Sequence, residues 1–541
     1  MNFDHAILSL IIFFPLLGAL ILALLPDKGK TMQWGALGVT LITFLLTLHL
    51  PTHYVAGVPA GTFQFSEDMS WIAAPAIRYH LGVDALGMWL VVLTGFLAPL
   101  GVLASWNAIA DRKKTFYVLF LLQQVAMMGI FVALDLFLFY AFFELSLVPM
   151  TILISAFGRT KDRRKAGIKY FVYNFLPSAL LLVGILWLYG KTGTFDLPKI
   201  EALAQAHAIS SNSPALWLCS LAFLVAFAVK VPIFPLHGWL KDSIVEAPTA
   251  AVMVLAGKTG FYAILRFSFG IFPEQSHRIA PLMVALGAIG IVYGALIAVT
   301  RKDMKELAAY STLSHLAFIT LGIFTFTIAG IDGGIYQILN HGISGGALFL
   351  LLGFLYERYK TYDMRDLGGL AAQLPWMATL YVVTTLSLVG LPMLNSFVGE
   401  FLILTGSLQS GFHVAWTVLA TTGVILSAGY MLPMIQRVFY GSLGVSSDAV
   451  VPRDLNVREH VALWPSIALF LVMGLASPLF LKTLNANGTE LATKPASVVT
   501  PVDKGAGSTH SAFVDPNLKQ NVDLKTGKAK GLVSAPEGRL Y

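Results

Sequence analysis

Long apolar runs, separated by short polar stretches, recur along nearly the whole chain from residue 6 to residue 481. A helix needs about 20 apolar residues to cross the hydrocarbon core of a bilayer, so each such run predicts a transmembrane helix. The predicted spans are 6–25, 33–50, 84–105, 115–133, 136–157, 169–190, 214–236, 246–271, 280–300, 305–328, 331–356, 374–408 (interrupted), 413–436 and 461–481. The pattern predicts an all-α, polytopic membrane protein of about 14 transmembrane helices.

Composition supports this prediction and excludes several other classes of protein. Of the 541 residues, 56% are hydrophobic and 12% are charged, and the mean hydropathy is +0.74. A soluble domain carries about 25% charged residues, so much of this surface must face lipid. The single cysteine, Cys219, excludes a disulfide within the chain, and no Cys/His cluster indicates a metal or iron–sulfur site. The first apolar run lacks a basic n-region, so no cleavable signal peptide is predicted.

Basic residues are concentrated in every second loop between the predicted spans, which explains the net charge of +7 without invoking nucleic acid. The opposite loops carry few basic residues: Arg78, Lys191, Lys199 and Arg278. Cytoplasmic loops are enriched in Lys and Arg, so the alternation predicts an even number of spans with both termini on the non-cytoplasmic side. The basic set is Lys28, Lys30, Arg112, Lys113, Lys114, Arg159, Lys161, Arg163, Arg164, Lys165, Arg301, Lys302, Arg358, Lys360, Arg365, Arg437, Arg453 and Arg458.

Six ionisable side chains lie near the middle of predicted spans, where a charge costs roughly 2.5–3.5 kcal/mol. Burial and a nearby opposite charge shift the pKa of such a group in opposite directions. Groups in which the two effects balance can exchange protons near neutral pH. We therefore predict a proton relay, with the first two residues of the set as a switchable pair. The alternative for any single member is a structural ion pair or a hydrogen-bonded histidine, and His237 fits that alternative better. The relay set is Glu144, Lys230, Lys258, His315, His341 and Glu400.

Two of the predicted spans are interrupted by proline. Pro232 and Pro235 follow Lys230 in span 7, and Pro392 precedes Glu400 in span 12. Proline breaks a helix, and backbone broken inside a membrane must line a cavity or pack against protein. One break in each half predicts two inverted five-helix repeats. The predicted segments are 1–113 (three helices), 114–272 (first repeat, helices 4–8), 273–440 (second repeat, helices 9–13), 441–482 (helix 14) and 483–541 (a polar, disordered tail).

The motifs around these residues resemble the antiporter-like membrane subunits of respiratory complex I. The resemblance covers nearly all of residues 1–481. Most relatives carry a lysine a few residues after the histidine of span 11, but no lysine follows His341 here, and span 12 carries Glu400 rather than a lysine. These two features resemble the subunit M (chain 4) branch of the family. The matching motifs are Phe14–Gly18, Tyr79–Asp84, Phe143–Leu145, Lys230–Trp239, Glu246–Thr249 and Gly399–Phe401.

This resemblance implies a proton-translocating subunit of an NADH:quinone oxidoreductase. Glu144 and Lys230 would then be the coupling pair. Lys258, His315 and His341 would form a central polar axis, and Glu400 would gate proton exit to the outer side. The oxidoreductase activity would belong to the whole enzyme, because no redox chemistry is expected in this chain.

The resemblance also implies partners and a location. No cofactor is expected in this chain, whereas NADH, FMN, iron–sulfur clusters and quinone are expected in partner subunits. The expected partners are other complex I membrane subunits, including paralogous antiporter-like ones, together with the lipid bilayer and protons. The expected location is an energy-transducing membrane, namely the bacterial inner (cytoplasmic) membrane.

The sequence departs from the family pattern at two places that concern the proton path. Ile244 stands where the family usually has a histidine, so proton entry at that point would need another carrier. The stretch between Pro248 and Lys258 is shorter than in relatives, which leaves open whether Lys258 faces the central axis. Both departures predict a divergent member of the family.

Two alternative functions stay open on the sequence. A subunit of a multisubunit cation/proton antiporter would share the fold without a redox partner, although the missing lysine after His341 argues against it. A subunit of a membrane-bound hydrogenase complex would serve another electron donor, and the sequence separates it poorly from the leading interpretation.

Overall fold

A computed structural model describes residues 3–58, 61–206, 213–255, 258–442 and 453–493 of the chain. Its first helices are α1 (Ile7–Leu24), α2 (Thr31–His53), α3 (Ala85–Ser105), α4 (Lys113–Val132), α5 (Leu136–Leu145), α6 (Leu147–Phe157), α7 (Arg163–Thr192), α8 (Leu197–Gln205), α9 (Pro214–Lys230), α10 (Leu240–Glu246) and α11 (Thr249–Leu255). The later helices are α12 (Lys258–Ala263), α13 (Phe269–Ile271), α14 (Pro273–Val299), α15 (Met304–Ile323), α16 (Ile328–Tyr359), α17 (Leu370–Gln373), α18 (Pro375–Leu388), α19 (Asn395–Gln409), α20 (Val414–Phe439), α21 (Val457–Leu475) and α22 (Pro478–Thr493). A π-helical turn, Ile264–Ser268, joins α12 to α13.

Eleven helical segments of the described part are long and apolar enough to cross a membrane, and α9 and α18 are shorter apolar helices. The prediction of an all-α, multi-pass membrane protein is therefore confirmed. The number of fourteen spans stays a prediction, because length and hydropathy do not establish it. Many large apolar side chains on α1, α2, α7 and α20 face outward, as expected where a helix surface meets lipid.

Both predicted helix breaks are present. The helix α9 ends at Lys230 and α10 begins only at Leu240, while α18 ends at Leu388 and α19 begins at Asn395. The prolines of each connection cannot donate a backbone hydrogen bond and clash with the preceding turn, so the helix cannot continue. The inverted relation of the two halves, and the segment boundaries given above, stay predictions.

A β-hairpin, which the sequence interpretation missed, precedes α3. Strands β1 (Gln64–Ile72) and β2 (Ile77–Val83) pair antiparallel. The carboxylate of Glu67 accepts hydrogen bonds from the backbone N–H groups of Leu8 and Ser9 at 2.9 and 3.0 Å, and the N–H of Leu134 donates to the carbonyl of His80 at 2.8 Å. The hairpin thus ties α1 and the α4–α5 connection together at one end of the helices, which we call the hairpin face.

The basic loops gather at the opposite end, which we call the basic face. The guanidinium of Arg112 donates to the carbonyl of Ala156 at 2.7 Å, and Arg159 lies 3.4 Å from the carboxylate of Asp303. Further along, Arg358 and Glu459 form an ion pair at 2.7 Å. Contacts between loops that are distant in sequence therefore place Arg112, Arg159 and Arg358 at this end, while the sidedness of the full basic set stays a prediction.

The predicted start of the disordered tail, at residue 483, lies too early in the chain. Residues 483–493, assigned to the tail, are helical and belong to α22. The hydroxyl of Thr483 accepts from the indole N–H of Trp89 at 2.9 Å, and the amide of Asn487 donates to the carboxylate of Asp84. Composition alone indicated disorder because α22 is polar, but its polar side chains bind buried groups of α3 and α16. The rest of the tail lies outside the described residues.

Candidate functional site

Lys258, whose orientation the sequence left open, is buried against α16. It is 5% exposed, and its ammonium group donates to the carbonyl of Met253 at 2.8 Å. A Cβ at Gly342 would lie only 3.0 Å from Cε of Lys258, so the absence of a side chain there lets the lysine stem lie directly on α16. The residue therefore faces the helix that carries His341.

Two of the predicted histidines meet between α15 and α16. The ring centroids of His315 and His341 are 5.7 Å apart, and both residues are buried. Nδ1 of His315 lies 3.4 Å from Oε1 of Glu400, but neither nitrogen of this ring has a hydrogen-bond partner among the described residues. The imidazole therefore lies between a second histidine and a carboxylate.

Glu400 lies just past the second helix break, on α19, and is 4% exposed. The amide of Gln337 donates to its Oε1 at 3.3 Å. On the other side, a Cβ at Gly390 would come within 2.6 Å of Oε2, and Gly390 has a φ of +78°. Glycine is required there for both reasons: the conformation is left-handed and the carboxylate approaches the backbone closely.

Amide and hydroxyl groups around the second break were not predicted as part of the site. Ser387 donates to the side-chain oxygen of Asn395 at 2.6 Å, Asn395 donates to Ser344 at 3.0 Å, and Asn340 donates to the Asn395 carbonyl at 2.9 Å. The sequence does contain a signal for them, because Gln337, Asn340, His341 and Ser344 recur at helical spacing in an otherwise apolar run. They stabilise the break and supply hydrogen-bonding groups beside Glu400.

Lys230 and Glu144 are close but do not form a direct ion pair. The ammonium of Lys230 donates to the hydroxyl of Ser146 at 3.2 Å and lies 5.0 Å from the ring centroid of Phe143. The described residues include no ion pair, with an N···O distance of 4.0 Å or less, between Glu144 and Lys230. Oε1 of Glu144 is buried and has no hydrogen-bond partner among the described residues.

The six predicted residues thus form two groups. Lys258, His341, His315 and Glu400 make one array around α16, while Glu144 and Lys230 make the second on α5 and α9. No hydrogen bond or ion pair between described residues joins the groups. His237 packs against the rings of Phe234 and Tyr293, with centroids 5.6 and 5.1 Å away, which fits the structural alternative.

Families and known structures define the class to which this arrangement belongs. Residues 133–427, more than half of the chain, match the family described as the transmembrane part of NADH:quinone oxidoreductase and Mrp antiporters. Residues 10–134 match the amino terminus of NADH-ubiquinone oxidoreductase chain 4. Both matches fall on the helices described above, so the class is that of the antiporter-like membrane subunits.

Individual relatives place the chain within that class. NADH-quinone oxidoreductase subunit M of Rhodobacter capsulatus is 40% identical over 86% of this chain and 93% of the relative, and chain 4 of Marchantia polymorpha is 36% identical over 90% and 96%. A chain of respiratory complex I from Thermus thermophilus superposes with a TM-score of 0.81 at 30% identity, covering 90% of this chain and 99% of that one. A chain of the Mrp complex from Dietzia sp. shares the fold, with a TM-score of 0.80 at 23% identity, covering 92% and 99%. The chain therefore belongs to the subunit M (chain 4) branch of the NADH:quinone oxidoreductase family.

Proposed function

We propose that this chain moves protons across the membrane as a subunit of an NADH:quinone oxidoreductase. The observation that carries the proposal is the buried array of Lys258, His341, His315 and Glu400. Ionisable groups inside a membrane protein are rare and costly, and four in succession on separate helices are typical of a proton path. In this proposal the array is the central part of the path.

Proton transfer within the array needs little movement. A proton on Nδ1 of His315 faces Oε1 of Glu400 at 3.4 Å, so the imidazolium becomes neutral as the carboxylate becomes a carboxylic acid. Lys258 holds its proton against the carbonyl of Met253, and the neighbouring His341 is the acceptor when that contact loosens. Glu400 then passes the proton towards the hairpin face.

Glu144 and Lys230 control the charge next to this array. When the two approach each other, each favours the charged form of its partner, and when they separate, Lys230 favours releasing its proton and Glu144 favours taking one up. The long-range interaction of unpaired charges in a low-dielectric interior then changes the energy of a proton on the central array. The hydroxyl of Ser146 and the ring of Phe143 hold Lys230 when Glu144 is not in contact.

Electron transfer takes place in partner subunits in this proposal. NADH, FMN, iron–sulfur clusters and quinone bind there, and the free energy of the redox reaction reaches this chain through changes in conformation and charge. The complex lies in the bacterial inner membrane, with the basic face in the cytoplasm and both termini on the outer side. The chain is then a component of a proton-translocating enzyme.

Neutralising the proposed residues tests the function directly. Glu144→Gln, Lys230→Ala and Glu400→Gln should each lower the number of protons moved per electron pair, because each removes a proton-binding group while leaving the helix intact. Proton uptake and NADH oxidation are measured together in vesicles that contain the whole complex. Glu274→Gln, on the hairpin face in an ion pair with Arg278, is the matched control and should pump normally. Normal stoichiometry in Glu144→Gln and Lys230→Ala would disprove the switch.

Purification from native membranes separates the alternatives. The chain is isolated in mild detergent by an affinity tag, and retained subunits are identified by mass spectrometry. Flavin and iron–sulfur subunits that oxidise NADH should be recovered with it. Recovery with hydrogenase subunits, or with small membrane subunits alone, would contradict the proposed redox partner.

A further inference from the structure

Asp332, on α16 near the hairpin face, is a buried carboxylate that the proposed path does not yet use. The residue is 5% exposed. The amide of Asn485 on α22 donates to Oδ2 at 3.0 Å, whereas Oδ1 has no hydrogen-bond partner within the described ranges. No ion pair of the described residues includes Asp332. It is therefore a carboxyl group with one hydrogen bond and no compensating cation.

Burial of such a carboxyl group destabilises the fold when the group is ionised, so its presence here suggests a role. Burying an ionised carboxylate without a cation costs several kcal/mol, about as much as removing one partner of a buried ion pair. The protonated acid needs only hydrogen bonds and is far less costly to bury. Two other buried carboxylates pair with cations, Asp84 with Arg266 and Glu459 with Arg358. Buried carboxylates without a cation accept at least two hydrogen bonds, namely Glu67, Asp135 and Glu246. Asp332 differs from all of these because it has neither a cation nor a second hydrogen bond among the described residues.

The position of Asp332 on α16 extends the array towards the hairpin face. Gln337, whose amide donates to Glu400, follows Asp332 by five residues, which corresponds to a rise of about 7.5 Å along a helix. His341 follows Gln337 by one further turn. Asp332 is thus the ionisable residue of α16 that lies between Glu400 and the α22 cover at the hairpin face.

The direct route along α19 is closed. A Cβ at Gly333 would lie 2.7 Å from Cβ of Leu402 and 2.8 Å from the backbone nitrogen of Ile403. One turn nearer the hairpin face, a Cβ at Gly406 would collide with the backbone of Gly330. The two helices therefore touch backbone to backbone and leave no space for water between them. This seam therefore offers no exit from Glu400, and a path along α16 would have to follow its other side.

That other side carries Asp332 and is covered by α22. Asn485 binds its carboxylate, and a Cβ at Gly488 would collide with Oδ1. One turn further along α16, the hydroxyl of Tyr336 donates to the carbonyl of Met473 on the neighbouring helix α21 at 2.6 Å. The helix α22 therefore lies directly over the carboxyl group.

We propose that Asp332 is the proton-release residue of this chain and that α22 covers it. The inference rests on the proposed function and extends it. Glu400 loses its proton and returns to the carboxylate, the proton passes by way of water to Oδ1 of Asp332, and the neutral acid then releases it to water at the hairpin face. Asn485 donates to the regenerated carboxylate. No other reactant takes part.

The test compares Asp332→Asn with Glu400→Gln in vesicles that contain the whole complex. Asparagine keeps an oxygen that accepts from Asn485 but cannot hold the proton. We expect Asp332→Asn to lower the protons moved per electron pair by as much as Glu400→Gln does, at unchanged amounts of assembled complex. Thr483→Val is the matched control, because it removes one contact of α22, that with Trp89, without touching the carboxyl group; its stoichiometry should be normal.

The outcomes separate the inference from the proposed function. Impaired Glu400→Gln with normal Asp332→Asn would leave the proposed function standing and overturn the inference. Normal stoichiometry in both variants would overturn the inference and the exit through Glu400 alike. If Asp332→Asn does not assemble, the unaltered complex is treated with a hydrophobic carbodiimide, which modifies protonated carboxyl groups in apolar surroundings. A mass-spectrometric adduct on Asp332 is then expected, and its absence would overturn the inference.

Discussion

At the scale of single residues, the protein holds its buried cations in three different ways. Lys230 lies over an aromatic ring and bonds a hydroxyl, Lys258 bonds a backbone carbonyl, and Arg266 pairs with the carboxylate of Asp84. The first two arrangements compensate an ammonium charge weakly, while the third compensates a guanidinium fully. Residues proposed to release protons therefore have weak partners, and Arg266, which cannot release one, has a strong partner.

Removing Arg266 should destabilise the protein strongly. Arg266→Met leaves Asp84 buried with its charge uncompensated, and losing one partner of a buried pair costs about 3–5 kcal/mol. The thermal unfolding of the detergent-solubilised complex should begin at a clearly lower temperature. Combining Arg266→Met with Asp84→Asn should recover part of the loss, since no unpaired charge then remains. Equal destabilisation by the single and double variants would contradict this explanation.

The exposed pair of Arg365 and Asp363 provides the control. Arg365 hydrogen-bonds the carboxylate and lowers the pKa of Asp363 to about 2. A lowered folded-state pKa contributes stability above the unfolded value, near 3.9, that is lost as pH falls towards 2. The pair is thus intact at neutral pH, yet Arg365→Met should leave the unfolding temperature almost unchanged, because water screens exposed charges.

At the scale of elements, the second helix break depends on one side chain. Asn395 bonds Ser387 and Ser344 and sits where α19 begins. Asn395→Leu would leave these buried hydroxyls with fewer partners, which costs about 1–3 kcal/mol for an unsatisfied group. Thermal unfolding and the amount of assembled complex measure the effect. Thr405→Val, which removes only a bond to the Phe401 carbonyl on the exposed side of α19, should have little effect, and a similar loss in both variants would contradict the role of Asn395.

Apolar length predicted the membrane helices well because lipid imposes it. Span 84–105 corresponds to Ala85–Ser105, and span 413–436 to Val414–Phe439. Errors occur where the chain leaves the lipid: α7 begins at Arg163, six residues before the predicted span, because charged residues continue a helix into water. The hairpin and α22 were missed because long-range contacts of Glu67 and Asn487 stabilise them.

The candidate site was predictable in its charges but not in its contacts. Intramembrane charge is rare enough that Glu144, Lys230 and Glu400 could be selected one at a time. Which groups meet depends on packing between helices that are far apart in sequence. The contact of His315 with Glu400, and the separation of Glu144 from Lys230, could therefore be established only in three dimensions.

At the scale of the whole molecule, the two faces should lie on opposite sides of the membrane. Ser66→Cys on the hairpin face and Lys161→Cys on the basic face each introduce one exposed thiol, in a background carrying Cys219→Ser. A membrane-impermeant maleimide should label Ser66→Cys from outside intact cells, and Lys161→Cys only in inverted vesicles. The unaltered chain, whose Cys219 is buried, should not be labelled from either side. The reverse labelling pattern would overturn the proposed orientation.

The helix α16 links these two faces physically. It runs unbroken over 32 residues, a length of about 48 Å that exceeds the hydrocarbon core of about 30 Å. Arg358 anchors one end to Glu459, and Asp332 fixes the other end to Asn485. A continuous helix is stiff along its axis, so a push at one anchor reaches the other almost undiminished. We therefore expect α16, which carries His341, to transmit a displacement between its two anchors.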